Sequence, residues 1–238
     1  MKVALLGYGK MGKTIERILT DRGHQVVLII DKDNLSDLTT EALSKADVAI
    51  EFTNPESAIN NLSKCFEAGV PVVCGTTGWL QEKAYVEKVC KEFNGGFIYA
   101  SNFSIGVNIF FEVNKLLAKL IANHPSYDVK LTEVHHTAKL DAPSGTAISL
   151  AEQVLAQLPH KNKWVNELNA AANEISIESI REDPAPGTHT VTYTSAIDDI
   201  EIKHTAHTRE GFALGAVLAS EFLAGKQGIY TMREVLGM

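Results

Sequence analysis

The chain has no long apolar run, little cysteine and no excess of positive charge, and each shortage excludes something. No stretch of its 238 residues approaches the roughly 18 apolar residues of a membrane span. Its first residues, Met1-Lys-Val-Ala-Leu-Leu-Gly, lead straight into a glycine loop, so no signal peptide is expected. Three cysteines (Cys65, Cys74, Cys90) are odd in number and lack CxxC spacing, which argues against a disulfide framework or a zinc site and for reduced thiols in a cytoplasmic protein. With Lys+Arg at 22 against Asp+Glu at 29, the net charge of −7 disfavours binding to nucleic acid or anionic membranes. No internal repeat or low-complexity segment is present.

What is present reads as an α/β protein. In the first hundred residues, strand-type apolar runs (Lys2–Leu6, Gln25–Ile30, Val48–Phe52, Val70–Cys74, Phe97–Ala100) alternate with helical stretches near Met11–Asp21, Pro55–Glu67 and Leu80–Phe93. Unbroken apolar strands separated by helices predict a Rossmann-like, doubly wound parallel sheet covered on both faces. After Asn102 a helix is predicted over Ile109–Ala122, then strand, loop and helix across Asp128–Leu158, then strands at Ile175–Arg181, Thr188–Ser195 and Ile200–Thr205. Asp183-Pro-Ala-Pro-Gly187 reads as the turn between the first two of these and Ile197-Asp-Asp199 as the turn between the next two, giving a second α+β domain with a mostly antiparallel or mixed sheet. Helical patterns at Phe212–Ala224 and Thr231–Leu236 are expected to return to the first sheet. The expected division is therefore 1–106 with 209–238 for the dinucleotide and 107–208 for the substrate.

Gly7-Tyr-Gly-Lys-Met-Gly12 is GxGxxG directly after a strand and before a helix, the context in which that motif cradles a pyrophosphate. Gly7 permits the tight turn, Gly9 the close approach of a ligand, and Gly12 close helix packing. Asp31 stands 19 residues beyond Gly12, where a carboxylate meets adenosine ribose hydroxyls. It favours NAD over a 2′-phosphate, while Lys32 could neutralise that phosphate, so use of both NADH and NADPH is expected. Gly75-Thr-Thr-Gly78 and Ala100-Ser-Asn-Phe103 follow later strands, at the carboxyl ends where open parallel sheets bind ligands; the plainer alternative is ordinary turn chemistry.

The densest chemistry lies in Glu133-Val-His-His-Thr-Ala-Lys-Leu-Asp-Ala-Pro-Ser-Gly-Thr146. A strand is predicted over Lys130–Val134, a loop over His136–Pro143 and a helix start at Ser-Gly-Thr. A helix N-terminus favours a carboxylate or phosphate, and Lys139 adds full charge beside two imidazoles, so a small acidic substrate is expected. Adjacent strand residues face opposite ways; His135 and His136 can serve one ligand only if the chain leaves strand geometry at the pair. Glu133 orients a neighbour or is a solvated strand residue, and is not assigned to the site. A metal reading is disfavoured: His135, His136, His189, His204 and His207 all fall in the second domain, but adjacent histidines lack helical i, i+4 zinc spacing and no cysteine lies near. The roles of His204, His207 and Arg209 stay open between structure and substrate.

These segments, with Asn102-Phe-Ser-Ile-Gly-Val-Asn108, His204-Thr-Ala-His-Thr-Arg209, Phe212-Ala-Leu-Gly215 and Gly228-Ile-Tyr-Thr-Met232, resemble the dihydrodipicolinate reductase (4-hydroxy-tetrahydrodipicolinate reductase) family of the bacterial lysine and diaminopimelate pathway, over almost the whole chain. The resemblance implies NAD(P)H-dependent reduction of a cyclic dicarboxylate imine in the cytoplasm by a homotetramer assembled through the second sheet. It implies His135 as proton donor and acceptor, Lys139 as second proton donor, and His136, Gly145 and Thr146 at the substrate. For the cofactor it implies Gly7, Tyr8, Gly9, Lys10, Met11, Gly12, Asp31, Lys32, Gly75, Thr76, Thr77, Ala100, Ser101, Asn102 and Phe103, with no metal. The chain departs from the family in being shorter than many members and in carrying Lys32 where Arg is common. Other readings are a semialdehyde dehydrogenase, which would need a nucleophilic cysteine such as Cys74, and a dinucleotide-sensing regulator without catalysis. Two domains joined by two connections further predict closure on substrate binding.

Overall fold

A computed structural model describes residues 1–208 and 210–238. The chain divides into two compact units, Met1–Ile105 with Glu210–Met238, and 106–208. In chain order the first unit contributes β1 (Lys2–Leu6), α1 (Lys10–Asp21), β2 (Gln25–Ile30), α2 (Thr40–Leu43), β3 (Val48–Glu51), α3 (Pro55–Glu67), β4 (Val72–Cys74), α4 (Lys83–Glu92) and β5 (Gly96–Tyr99). The second follows with α5 (Ile105–Ile121), β6 (Asp128–His135), α6 (Gly145–Leu155), β7 (Lys163–Val165), β8 (Glu174–Arg181), β9 (Thr188–Thr194) and β10 (Asp199–Thr205). The chain then returns to the first unit through α7 (Glu210–Leu223), β11 (Gly228–Tyr230) and α8 (Met232–Leu236).

Among the described residues the first unit holds a six-stranded sheet in the order β11-β5-β4-β3-β1-β2, parallel throughout. Successive residues of each strand feed opposite apolar layers. Ala4, Leu6, Ala49 and Val72 pack on one side with Leu62 and Phe66 of α3. Val3, Leu5, Val48 and Ile50 pack on the other with Ile15 and Leu19 of α1 and Val217 of α7. This two-sided burial is why the strands read as continuous apolar runs. Each fully buried Leu or Phe here contributes about 2–3 kcal/mol. Asn54 starts α3 by accepting from Ser57 N at 3.0 Å, with Pro55 in the first turn, where its missing N–H costs nothing. The return of α7 depends on Gly215: a Cβ there would stand 1.8 Å from the Phe103 carbonyl oxygen. The short β11 leaves no mark in the sequence pattern, because three residues carry no periodicity.

The second unit's sheet has the order β10-β9-β6-β8-β7. Its β10–β9 and β9–β6 pairs are antiparallel, and its β6–β8 and β8–β7 pairs parallel. It is therefore evenly mixed. The hairpin expected across Asp183–Gly187 does not form, because β6 lies between β8 and β9 and that segment crosses the end of β6 instead. The hairpin from β9 to β10 does form, with Thr194 opposite Asp199. On one face Val129, Leu131, Ile175, Ile177, Val191 and Tyr193 pack with Phe110 and Ala118 of α5 and Leu150 and Val154 of α6. Helix α5 begins at Ile105, four residues before the sequence pattern suggests.

Candidate active site

The glycine loop is built by steric exclusion. Gly7 has φ +96°, and a Cβ on it would stand 2.0 Å from the Phe52 carbonyl oxygen. A Cβ on Gly12 would lie 2.3 Å from the Gly7 carbonyl oxygen, so α1 can approach only as glycine. Gly9 is different: nothing lies within 4 Å of its Cβ position, and the exposed backbone there opens α1 to a ligand. Gly7, Tyr8, Gly9, Asp31, Lys32 and Asn54 line a cavity of about 390 Å³. The second strand ends at Ile30, so Asp31 is the first residue past it, its backbone N–H donating to Asn34 Oδ1 at 2.8 Å. A tight glycine turn, an open glycine, a helix N-terminus and a carboxylate at the next strand end fit a dinucleotide.

The remaining cofactor candidates divide by exposure. Lys10, Thr77 and Ser101 are exposed; Met11 and Ala100 pack against the α1/α7 core layer. Gly75 makes room for the Phe52 ring, which a Cβ would meet at 2.2 Å. Thr76 is buried and its Oγ1 accepts from Thr53 N at 2.7 Å, so its side chain braces one loop against another. Asn102 is buried and accepts from Ser104 N at 2.9 Å, and Phe103 is core. Beneath these loops lies Glu51, fully buried, accepting from the Thr53 hydroxyl, from Asn61 Nδ2 at 3.4 Å and from the Cys74 thiol at 3.1 Å. Sequence reasoning passes over Glu51 because its partners come from three separate segments.

In the second unit β6 ends at His135, and His136 is the first residue outside it. His135 is buried and His136 half-buried. Thr137 donates to Asp183 through N (3.2 Å) and Oγ1 (2.5 Å), bonds that hold the Asp183 carboxyl below its usual range, with His136 adding a smaller electrostatic contribution. Lys139 Nζ pairs with both Asp141 oxygens at 2.8 and 2.9 Å. Partial burial pushes the Asp141 carboxyl up, but this pair outweighs it and the net shift is downward. Asp141 is largely exposed, so the pair contributes at most about 1 kcal/mol and Lys139 can exchange it for another anion. Ser144 caps α6 by accepting from Ala147 N at 3.2 Å. Gly145, next in line, is exposed with nothing within 4 Å of its Cβ position, and Thr146 is half-buried in the same turn.

Two residues outside the sequence-predicted site, Glu133 and His189, meet His135, and a third, Arg181, meets Glu133. Glu133, fully buried, places Oε2 3.3 Å from His135 Nδ1 and 3.7 Å from His189 Nε2, and Oε1 3.4 Å from Arg181. The His135 and His189 rings meet edge to face at 5.0 Å between centroids. Burial, with the charge of His135 adding, lowers the pKa of His189 to about 3, so it is neutral. Burial also pushes the Glu133 carboxyl up, but the adjacent His135 ring and hydrogen bonds from Ser144 outweigh it and hold it well below the usual carboxylate range. Glu133, His135 and His189 could in principle gather around a cation. The Glu133 oxygens, however, already accept from Ser144 N at 3.0 and 3.2 Å and face the permanent charge of Arg181. His204 is half-buried and packs on the Phe110 ring, and burial lowers its pKa; His207 is exposed, and Arg209 lies outside the described residues.

Comparison with known proteins decides the lineage. The dihydrodipicolinate reductase N-terminal family model matches residues 1–103 and the C-terminal model residues 106–236. A 4-hydroxy-tetrahydrodipicolinate reductase of Christiangramia forsetii is 50% identical over 240 residues, covering 99% of this chain and 98% of that one. The chain belongs to the dihydrodipicolinate reductase family. Its relative of the same name from Ralstonia pickettii is 34% identical over 271 residues, covering both chains fully. The fold agrees with dipicolinate-bound dihydrodipicolinate reductase from Paenisporosarcina sp. TG-14, with TM-score 0.79 and 24% identity, covering 98% of each chain. Membership in the dihydrodipicolinate reductase family makes the chain an oxidoreductase that uses NADH or NADPH. Among the described residues no helix is long and apolar enough to cross a membrane.

Proposed function

We propose that this chain reduces 4-hydroxy-tetrahydrodipicolinate to tetrahydrodipicolinate, a step of lysine and diaminopimelate biosynthesis, with the dinucleotide on the first unit and the dicarboxylate on the second. The observation that carries this reading is the end of β6 and the loop after it, which set an imidazole, an exchangeable ammonium and an approachable helix N-terminus within one short segment. Gly7 to Gly12, with Asp31 and the loops at Gly75–Thr77 and Ala100–Phe103, would hold NAD(P)H. Loss of water from the 4-hydroxylated ring leaves a conjugated imine, and NAD(P)H, when bound, would supply the hydride taken up at its C4.

The chain's own residues manage charge and protons. The substrate is a dianion; Lys139, His136 and the first-turn N–H groups of Gly145 and Thr146 offer complementary charge. The N–H of Ser144 is already taken by Glu133, while nothing lies within 4 Å of the Cβ position of Gly145, the next residue of α6. Reduction at C4 leaves an enamine-like ring that must gain a proton, and His135 and Lys139 supply or relay it. Asp31 suits NADH and Lys32 tolerates NADPH, so both are used. The face of the second sheet opposite α5 and α6 carries polar side chains such as Lys130, Thr192, Glu201 and Lys203, and is the surface through which copies assemble into a homotetramer. Buried, unpaired thiols fit a cytoplasmic enzyme.

The test is oxidation of NADH and of NADPH with substrate formed in place from pyruvate and aspartate semialdehyde. Substrate-dependent loss of nicotinamide absorbance is expected with both. Tight NADH binding without turnover would favour a sensor, and light scattering would read the assembly.

A further inference from the structure

Along β6 the inward positions are Val129, Leu131, Glu133 and His135. One face of the strand thus changes from apolar core to ionisable groups within two residues of its end. A carboxylate without solvent costs several kcal/mol unless it is paired and hydrogen-bonded. Glu133 meets that demand from three directions. Ser144 N, at the start of α6, donates to both oxygens, Arg181 of β8 lies 3.4 Å from Oε1, and His135 Nδ1 lies 3.3 Å from Oε2. Arg181 in turn donates to the Asp141 carbonyl at 2.6 Å and the Lys139 carbonyl at 3.4 Å, the backbone that carries the Lys139 ammonium.

We propose that Glu133 is the positioning residue of the site: its carboxylate turns His135 so that Nδ1 faces inward and Nε2 outward, and it ties the α6 N-terminus and the Lys139 loop to the same point. Nδ1 is sealed from solvent and makes no hydrogen bond among the described residues; Glu133 Oε2, 3.3 Å away, is the acceptor it faces, and a bond closed there would select the Nδ1–H tautomer. The approach is not well aligned here, as is common before substrate tightens a catalytic hydrogen bond. Gly187 packs against the other ring nitrogen: a Cβ there would stand 3.1 Å from Nε2, so only glycine leaves that side of the ring unobstructed. This inference rests on His135 being the proton-transfer residue.

The experiment compares Glu133→Gln, Glu133→Asp and His135→Asn with the unmodified enzyme. Glu133→Gln is expected to lower kcat by about 10- to 100-fold, the range typical of groups that orient a reacting side chain, with NADH affinity unchanged. Glu133→Asp, which keeps the charge, should recover part of the loss. Long-range nitrogen–proton correlation spectra of imidazole-labelled wild-type protein should show His135 protonated at Nδ1, a readout that needs no variant to fold. Wild-type kcat in Glu133→Gln, activity lost only in step with the folded fraction, or an Nε2–H tautomer would overturn the proposal. Loss of wild-type activity on dialysis against EDTA, restored by zinc, would overturn it in favour of a metal centre. Full activity in His135→Asn would remove the underlying reading as well; an inactive His135→Asn beside a fully active Glu133→Gln would remove the positioning role alone.

Discussion

The Cys74 thiol donates to Glu51 Oε2 at 3.1 Å, with both side chains sealed from solvent. Burial is the main cause that pushes this thiol far above its usual range, and the Glu51 charge adds to it. Burial likewise pushes Cys65 strongly up and Cys90 to about 11. A nucleophilic thiolate at Cys74, which an aldehyde dehydrogenase would require, is therefore disfavoured. Native protein treated with iodoacetamide should keep full NADH oxidation and show no labelling by mass spectrometry, with all three thiols reacting in guanidinium. Loss of turnover in step with labelling of Cys74 would restore the thiol mechanism.

Gly9 and Gly12 should separate ligand approach from packing. Gly12→Ala forces a Cβ to within 2.3 Å of the Gly7 carbonyl, and such overpacking costs about 1–3 kcal/mol. Gly9→Ala meets open space and costs about 1 kcal/mol through a poorer helix cap. NADH titration by fluorescence should nevertheless show the larger loss of affinity per folded molecule for Gly9→Ala. Unchanged affinity there would remove Gly9 from the cofactor site.

Lys139→Ala should lower kcat/KM by about 100-fold or more, within the range of general acid catalysis, and leave the NADH dissociation constant as it was. Its pairing with an exposed carboxylate implies little structural cost, so the thermal midpoint should barely move. Unchanged steady-state rates would take Lys139 out of the mechanism.

His189 makes the protein acid-sensitive. Folded, it titrates at about 3; its ordinary value is 6.5. Between those values the unfolded chain binds a proton that the folded chain refuses, so stability falls as pH drops below about 6.5 toward 3. Glu133, whose carboxyl is lowered, adds a second loss at still lower pH as it protonates. From pH 7 to 4.5 the His189 contribution is on the order of 2–3 kcal/mol. Denaturant midpoints at the two pH values should differ more for wild type than for His189→Gln. Equal differences would show that His189 does not govern this window.

The sequence by itself determined what depends on local pattern. Alternating apolar runs and helical stretches specified the parallel sheet, since strands buried on both faces must be apolar throughout. Gly7, Gly9 and Gly12 announced their turn by spacing, and the His135–Thr146 segment announced its chemistry by density. Tertiary structure alone decided the rest. Glu133 and Arg181 are 48 positions apart, and nothing local says that β6 enters between β8 and β9. That insertion breaks the expected hairpin and brings His189 and Arg181 to either side of a carboxylate that would otherwise read as a solvated strand residue. Glu51 was hidden for the same reason, its donors coming from the loop after β3, from α3 and from β4. Periodicity records which face a residue occupies. Only the pairing of strands records what stands opposite it, and burial there turns an ordinary glutamate into the centre of a site.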